Sequence, residues 1–161
     1  MPRKPKSLDL TDYRILESLQ KDGRITNVEL AEKVHLSPPS CLDRVRRLER
    51  EGYIKSYRAL LDAHRLGAGL LAFVEIKLDS TSTESLEAFN RAIRRLDRVH
   101  ECHMVSGGFD YLIKVRAADM QEYRDFLGDE LAALPHVRET STYVVMQEVK
   151  SENMLTLRRP K

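Results

Sequence analysis

The chain lacks any run of about 18 or more apolar residues, so no membrane-spanning helix is expected. Cysteine is scarce. Cys41 and Cys102 lie far apart, without disulfide-framework or zinc-site spacing, and read as two reduced thiols in a cytosolic protein. The opening MPRKPKSLDL has basic residues but no apolar core behind them, so a secretory signal is not expected. A strong charge of one sign is missing too. The net charge of +2 decides nothing by itself, but its distribution is uneven. Through Leu66 there are 14 Lys and Arg against 10 Asp and Glu, and from Gly67 onward 13 against 15. A basic first part on a faintly acidic second part suggests that only the first meets a polyanion.

Catalytic and metal signatures are weak. In HECH (100–103), strand alternation puts His100 and Cys102 on one face and His103 on the other, too few ligands for a closed zinc site. Ser106, His103 and Asp110 are the residue types of a hydrolase triad. Ser106 lies beside a hairpin turn rather than on a strand-to-helix elbow, and nothing marks an oxyanion hole. No catalytic residue, no metal and no cofactor are expected, and the chain is not read as an enzyme.

What the first part does contain is three helix starts of one kind. LDLTDY places Leu8, a cap at Asp9, Asp12 three on and Tyr13 four on; ITNVEL repeats this with Ile25, Thr26, Glu29 and Leu30. Both match a capping box with a hydrophobic staple. LSPPSC has Leu36, Ser37, Ser40 and Cys41 in the same places, without the acid but with Pro38 at the first helical position, where a missing N–H costs nothing. Apolar residues at helical spacing follow each start: Ile15, Leu16 and Leu19; Leu30, Ala31 and Val34; Leu42, Val45 and Leu48. Three short helices with a tight turn before the third make a helix-turn-helix with a supporting first helix.

In such a unit the third helix enters the major groove. With Leu42, Val45 and Leu48 inward, Pro39, Ser40, Asp43, Arg44 and Arg47 are expected to share the outer face. Arg can bridge two acceptors of guanine, and Asp can accept from cytosine. Ser37 joins them at the cap, while Arg46 and Arg50 project to the flank, toward phosphate. The alternative is a solvated face paired internally, for example Asp43 with Arg47. YIKSYRALL after Gly52 reads as a short wing strand, with Lys55 and Arg58 able to touch the backbone, as could the arm Arg3, Lys4 and Lys6.

The second part reads as strand-helix-strand twice. Strands are expected at 69–79, 99–106, 111–117 and 137–147, and helices at 82–98 and after Asp119, whose partner Glu122 suggests another capping box. GGFD (107–110) is the hairpin turn between the two halves. This is the split βαββαβ order, a four-stranded antiparallel sheet with both helices on one face. The uncovered face calls for a second copy, so a dimer or more is expected.

LSPPSCLDRVRRLEREGYI followed by ECHMVSGGFDYLIKV and TYVVMQEVK resembles the Lrp/AsnC family of transcription regulators over nearly the whole chain, nearest its leucine-responsive branch. The fold expected is α+β: a winged helix-turn-helix (1–60), a linker (61–68) and a ferredoxin-like βαββαβ ligand-sensing and assembly domain (69–161). The resemblance implies a bacterial cytoplasmic regulator of amino-acid metabolism. It implies binding of double-stranded DNA, modulation by an amino acid such as leucine, and homodimers assembling into octamers or similar rings, without a membrane. It places the effector between dimers. Met104, Gly107, Asp110 and Tyr111 would stand on one side, and Met120, Thr140, Thr142, Tyr143 and Val144 of a neighbour on the other. Asp110 suits an ammonium, the Gly107–Gly108 amides a carboxylate, and the methionines and Val144 an apolar side chain. Those apolar residues could equally pack an interface, and the glycines simply turn the chain. Gly108 departs from the acid or polar residue common in the family. An architectural DNA-binding protein without effector, or a regulatory subunit of an amino-acid enzyme, are the alternatives.

Overall fold

The computed structural model describes residues 7–152 and 154–158, and the chain divides into two compact units. One gathers the residues up to Leu60 with those from Ser151 onward, and the other spans Leu61–Lys150.

The first unit holds α1 (Leu10–Lys21), α2 (Asn27–Val34) and α3 (Pro38–Arg50). Both expected capping boxes form. Asp9 accepts from the Asp12 amide at 2.8 Å while Asp12 accepts from the Asp9 amide at 3.1 Å, and Thr26 and Glu29 do the same for α2. Helix α2 ends on His35 in the left-handed conformation (φ 58°, ψ 48°), with the Leu36 amide bonded to the Ala31 carbonyl at 2.9 Å. This Schellman-type ending turns the chain sharply toward α3. Asn27 then ties the two helices, its amide group donating to the Pro38 carbonyl at 2.8 Å. Ile15, Leu30, Ala31, Val34, Cys41 and Leu48 form the core, with Val45 packed against it. Cys41 therefore takes the inward place expected for Leu42, which stays half-buried outside this cluster.

One expectation for this unit is corrected. Residues 53–60 form no strand, so the segment expected as a wing has no ladder partner among the described residues. It is held instead by the Tyr57 hydroxyl donating to Glu49 at 3.0 Å and by Ile54 packed on the core. Leu155, expected in the second domain, is bonded to the first unit. Gln20 on α1 exchanges two hydrogen bonds with the Leu155 backbone, at 2.8 and 2.9 Å, which keeps the C-terminal segment with the first unit. The basic arm of Arg3, Lys4 and Lys6 lies outside the described residues.

The second unit runs β1 (Leu70–Leu78), α4 (Thr83–Ile93), β2 (Val99–Met104), β3 (Tyr111–Ala117), α5 (Met120–Phe126) and β4 (Val137–Val144). The antiparallel sheet has the order β2-β3-β1-β4, as the split βαββαβ pattern requires. Alternation decides the faces. Ala72, Val74, Ile76 and Leu78 of β1 and Tyr111, Ile113, Val115 and Ala117 of β3 are buried against Phe89, Ile93, Tyr123, Phe126 and Leu131 from the helical layer. The opposite face carries Phe73, Glu75, Lys77, Leu112 and Lys114, partly exposed, with ion pairs Lys77–Glu139 (3.2 Å) and Lys114–Glu101 (3.1 Å). Helix α5 is shorter than its apolar spacing suggests. It passes into a wider π-type turn at Leu127–Leu131, which still delivers Leu131 to the core. Glu122 does not complete a box with Asp119; its carboxylate accepts from the Ala118 amide and pairs with Arg98 at 2.8 Å.

Candidate functional site

Helix α3 presents its first turn outward. Ser37, Pro39, Ser40 and Asp43 are exposed, as are Arg46, Arg50 and Lys55. Ser37 does not cap an amide but donates its hydroxyl hydrogen to Ser40 Oγ at 2.9 Å. Pro38 and Pro39 carry no N–H, so Ser40 alone supplies a first-turn amide, and no side chain caps it.

Arg44 and Arg47 do not share that open face. Each residue turns a helix by about 100°. With Cys41, Val45 and Leu48 inward rather than Leu42, Val45 and Leu48, α3 is rotated so that Arg44 and Arg47 lean toward α1. Arg44 Nη1 meets Asp9 Oδ2 at 2.6 Å and Asp12 Oδ1 at 2.9 Å. Arg47 Nη2 meets Asp12 Oδ2 at 2.6 Å, and its Nη1 lies 3.7 Å from Glu51. Asp12 is 1 % exposed, so each oxygen of a buried carboxylate serves one guanidinium. Burial alone would raise its pKa. The hydrogen bonds from Arg47, the Asp9 amide and Arg44 outweigh that and hold it below the ordinary aspartate range. Internal pairing, the alternative considered from sequence, thus occurs for Arg47, but with Asp12 of α1 rather than with Asp43.

In the second unit the two groups of expected effector residues lie on different strands of the sheet. Met104 ends the β2 edge and is 56 % exposed, and Gly107 turns the hairpin with φ 158°. Thr140, Thr142, Tyr143 and Val144 belong to the opposite edge, β4. Three strand steps of about 4.8 Å separate the edges, so one chain does not bring the groups together. Two members of the hairpin group have structural partners instead. The Asp110 carboxylate accepts from the Leu78 amide at 2.8 Å, and the Asp110 amide donates to the Ile76 carbonyl at 2.9 Å. Tyr111 is 1 % exposed, its ring 4.4 Å from that of Phe89.

Part of the β4 group lines a cleft. Met120, Thr142 and Val144 line a cleft of about 520 Å³ together with Gln121, Tyr123, Arg124 and Leu127. Tyr123, buried on α5, shares a 2.5 Å hydrogen bond with the Thr142 hydroxyl. Burial pushes the Tyr123 phenol up, only partly offset by Thr142, so it remains a neutral hydroxyl. The lining combines apolar Met120, Leu127 and Val144 with the hydroxyl-bearing Tyr123 and Thr142 and the cationic Arg124. Such a surface suits a small zwitterion with an apolar side chain. Sequence reasoning missed Gln121, Tyr123, Arg124 and Leu127. The available signal was the i, i+3, i+4, i+7 spacing of Met120, Tyr123, Arg124 and Leu127, which puts them on one helical face. Thr140 and Tyr143 are not among the lining residues.

No helix among the described residues is long and apolar enough to cross a membrane. Comparison with known proteins agrees with both units. Residues 8–55 match the winged helix-turn-helix DNA-binding model, and residues 71–155 match the Lrp/AsnC ligand binding domain. The leucine-responsive regulatory proteins of Escherichia coli K12 and Salmonella typhimurium are each 54 % identical over 97 % of this chain and 95 % of their own. A Neisseria meningitidis transcriptional regulator solved with L-methionine superposes with a TM-score of 0.89 at 35 % identity, covering 93 % of this chain and 97 % of its own. An AsnC family regulator from Agrobacterium tumefaciens gives 0.88 at 32 %, covering 92 % and 97 %. A helix-turn-helix unit with an exposed reading helix, joined to a ligand-binding βαββαβ unit, is thus matched along nearly its whole length, and the chain belongs to the Lrp/AsnC family of DNA-binding, effector-modulated transcription regulators.

Proposed function

We propose that this chain regulates genes of amino-acid metabolism in the bacterial cytoplasm, binding operator DNA through α3 and an apolar amino acid in the α5–β4 cleft. The cleft carries the reading: its apolar side chains, Tyr123–Thr142 hydroxyl pair and Arg124 suit the side chain, ammonium and carboxylate of a free amino acid. Relatives named for leucine and solved with methionine support a side chain of that size. Ser37, Pro39, Ser40 and Asp43 would meet bases or phosphates at the groove, with Arg46 and Lys55 on the flanking backbone. Arg44 and Arg47 would approach the same groove already paired to α1.

Assembly follows from the sheet. Its second face is covered by no helix of the unit, and Met104 and Gly107 lie on the edge opposite the cleft. A homodimer would cover the face, and dimers joined into an octamer or similar ring would bring one chain's hairpin to another's cleft. Two helix-turn-helix units would then read half-sites about one helical turn apart. The relatives' names are those of regulators, in keeping with a non-catalytic role.

Thermal unfolding of the purified protein against each of the twenty amino acids tests this reading. A ligand at about 100 times its dissociation constant adds about 2.7 kcal/mol. Leucine, methionine or a similar apolar amino acid is expected to raise the melting point, and Thr142→Lys to abolish the shift by filling the cleft. No shift with any amino acid would overturn the effector reading and leave an architectural DNA-binding protein.

A further inference from the structure

The four arginines of α3 are not equivalent. Arg46 and Arg50 are exposed, whereas Arg44 and Arg47 are pinned to α1 by one buried and one exposed carboxylate, 1 % and 52 % exposed at the side chain. The concave surface beside them is lined by Asp9, Asp12, Asp43, Arg44, Arg47 and Ser7, three carboxylates to two guanidiniums. A phosphate approaching there meets a surface already neutralised, with acid in excess. The acids are also the two members of the α1 capping box, whose reciprocal bonds fix where their oxygens stand. The same short motif that starts α1 therefore sets the charge that α3 shows to DNA.

Resting on the reading that α3 meets DNA, we propose that Asp9 and Asp12 are positioning residues that withhold Arg44 and Arg47 from DNA phosphates, limiting sequence-independent binding. Contact with the backbone then falls to Arg46, Arg50 and Lys55, and base discrimination to the polar first turn of α3. Affinity for arbitrary DNA grows with every phosphate neutralised, so holding two cations back enlarges the ratio of operator to random DNA. Asp12 carries more of this than Asp9, because it is buried and holds both guanidiniums.

Asp12→Asn tests the proposal. It keeps the size and one hydrogen-bond acceptor but removes the charge. The readout is the salt dependence of binding to a random-sequence duplex, with helix content and melting recorded to show that the variant is folded. Each freed arginine that reaches a phosphate steepens the slope of log K against log salt by about 0.9, or about 3.5-fold in affinity between 200 and 50 mM salt. One such step is expected for Asp12→Asn, nearly two for Asp9→Asn with Asp12→Asn, and reversal when Arg47→Gln is added to Asp12→Asn. A purely structural role for Asp12 would change stability and leave the slope alone. An unchanged or shallower slope in folded Asp12→Asn overturns the proposal. Should that variant not fold, Arg47→Gln alone must leave the slope unchanged, because Arg47 is already withheld by Asp12, and a slope shallower by about 0.9 overturns the proposal equally. Wild-type protein that binds no duplex at all would instead overturn the DNA-binding reading itself.

Discussion

Leu48→Ala is expected to destabilise the first unit by about 2–5 kcal/mol and to remove DNA binding while leaving the amino-acid response in place. Leu48 is fully buried in α3, packed among Ile15, Leu30, Val34 and Cys41. Its carbonyl also accepts from the Tyr53 and Ile54 amides at 2.9 and 3.3 Å, so α3 and the segment leaving it share this anchor. The unit is small, and a loss of this size is a large fraction of the stability of such a domain. Every residue proposed to touch DNA lies on α3 or just beside it, whereas the effector cleft belongs entirely to the second unit. Calorimetry should show one transition lowered and another still raised by the effector. A variant that melts and binds DNA like the wild type would contradict the packing described.

Phe89→Ala should do the converse, at about 3–5 kcal/mol. Phe89 projects from α4 into the sheet, fully buried, with its ring tilted 39° to that of Tyr111. Tyr111 begins β3 immediately after Asp110, which is bonded to both Ile76 and Leu78 of β1. The ring pair thus fastens the helical layer to the strand that carries the hairpin. Its removal should abolish the amino-acid response and lower the second unit's transition. Retention of both would mean that the sheet does not depend on this layer contact.

Much of this architecture could be read directly from residue patterns, because local signals and tertiary packing agree. Asp9–Asp12 and Thr26–Glu29 announce two helix starts, and both boxes are present. Strict alternation along YLIKVRA places Tyr111, Ile113, Val115 and Ala117 inward, and all four are buried. The positions of Arg44 and Arg47 were less legible. They depend on Cys41 rather than Leu42 turning inward, and on carboxylates more than 30 residues earlier in the chain. A helix's rotation about its axis is set by its neighbours, and a difference of one apolar position moves a long side chain from the groove to the adjoining helix. Asp110 was opaque for a related reason: the amide that claims it belongs to β1, brought close only by the sheet register. The cleft is half legible: resemblance points to Thr142 and Val144 on the strand, whereas the helical residues Tyr123 and Arg124 join them only once α5 packs beside β4.

The most direct test of an effector-modulated regulator is reciprocal. Operator fragments selected from a random pool would be titrated with and without the amino acid that shifts melting, and that amino acid titrated with and without the operator. Linkage requires the same coupling factor in both directions, typically about 5–150-fold. Equal factors in that range are predicted, with random duplex bound far more weakly. Operator affinity that ignores the amino acid, at concentrations that saturate the cleft, would contradict the central claim.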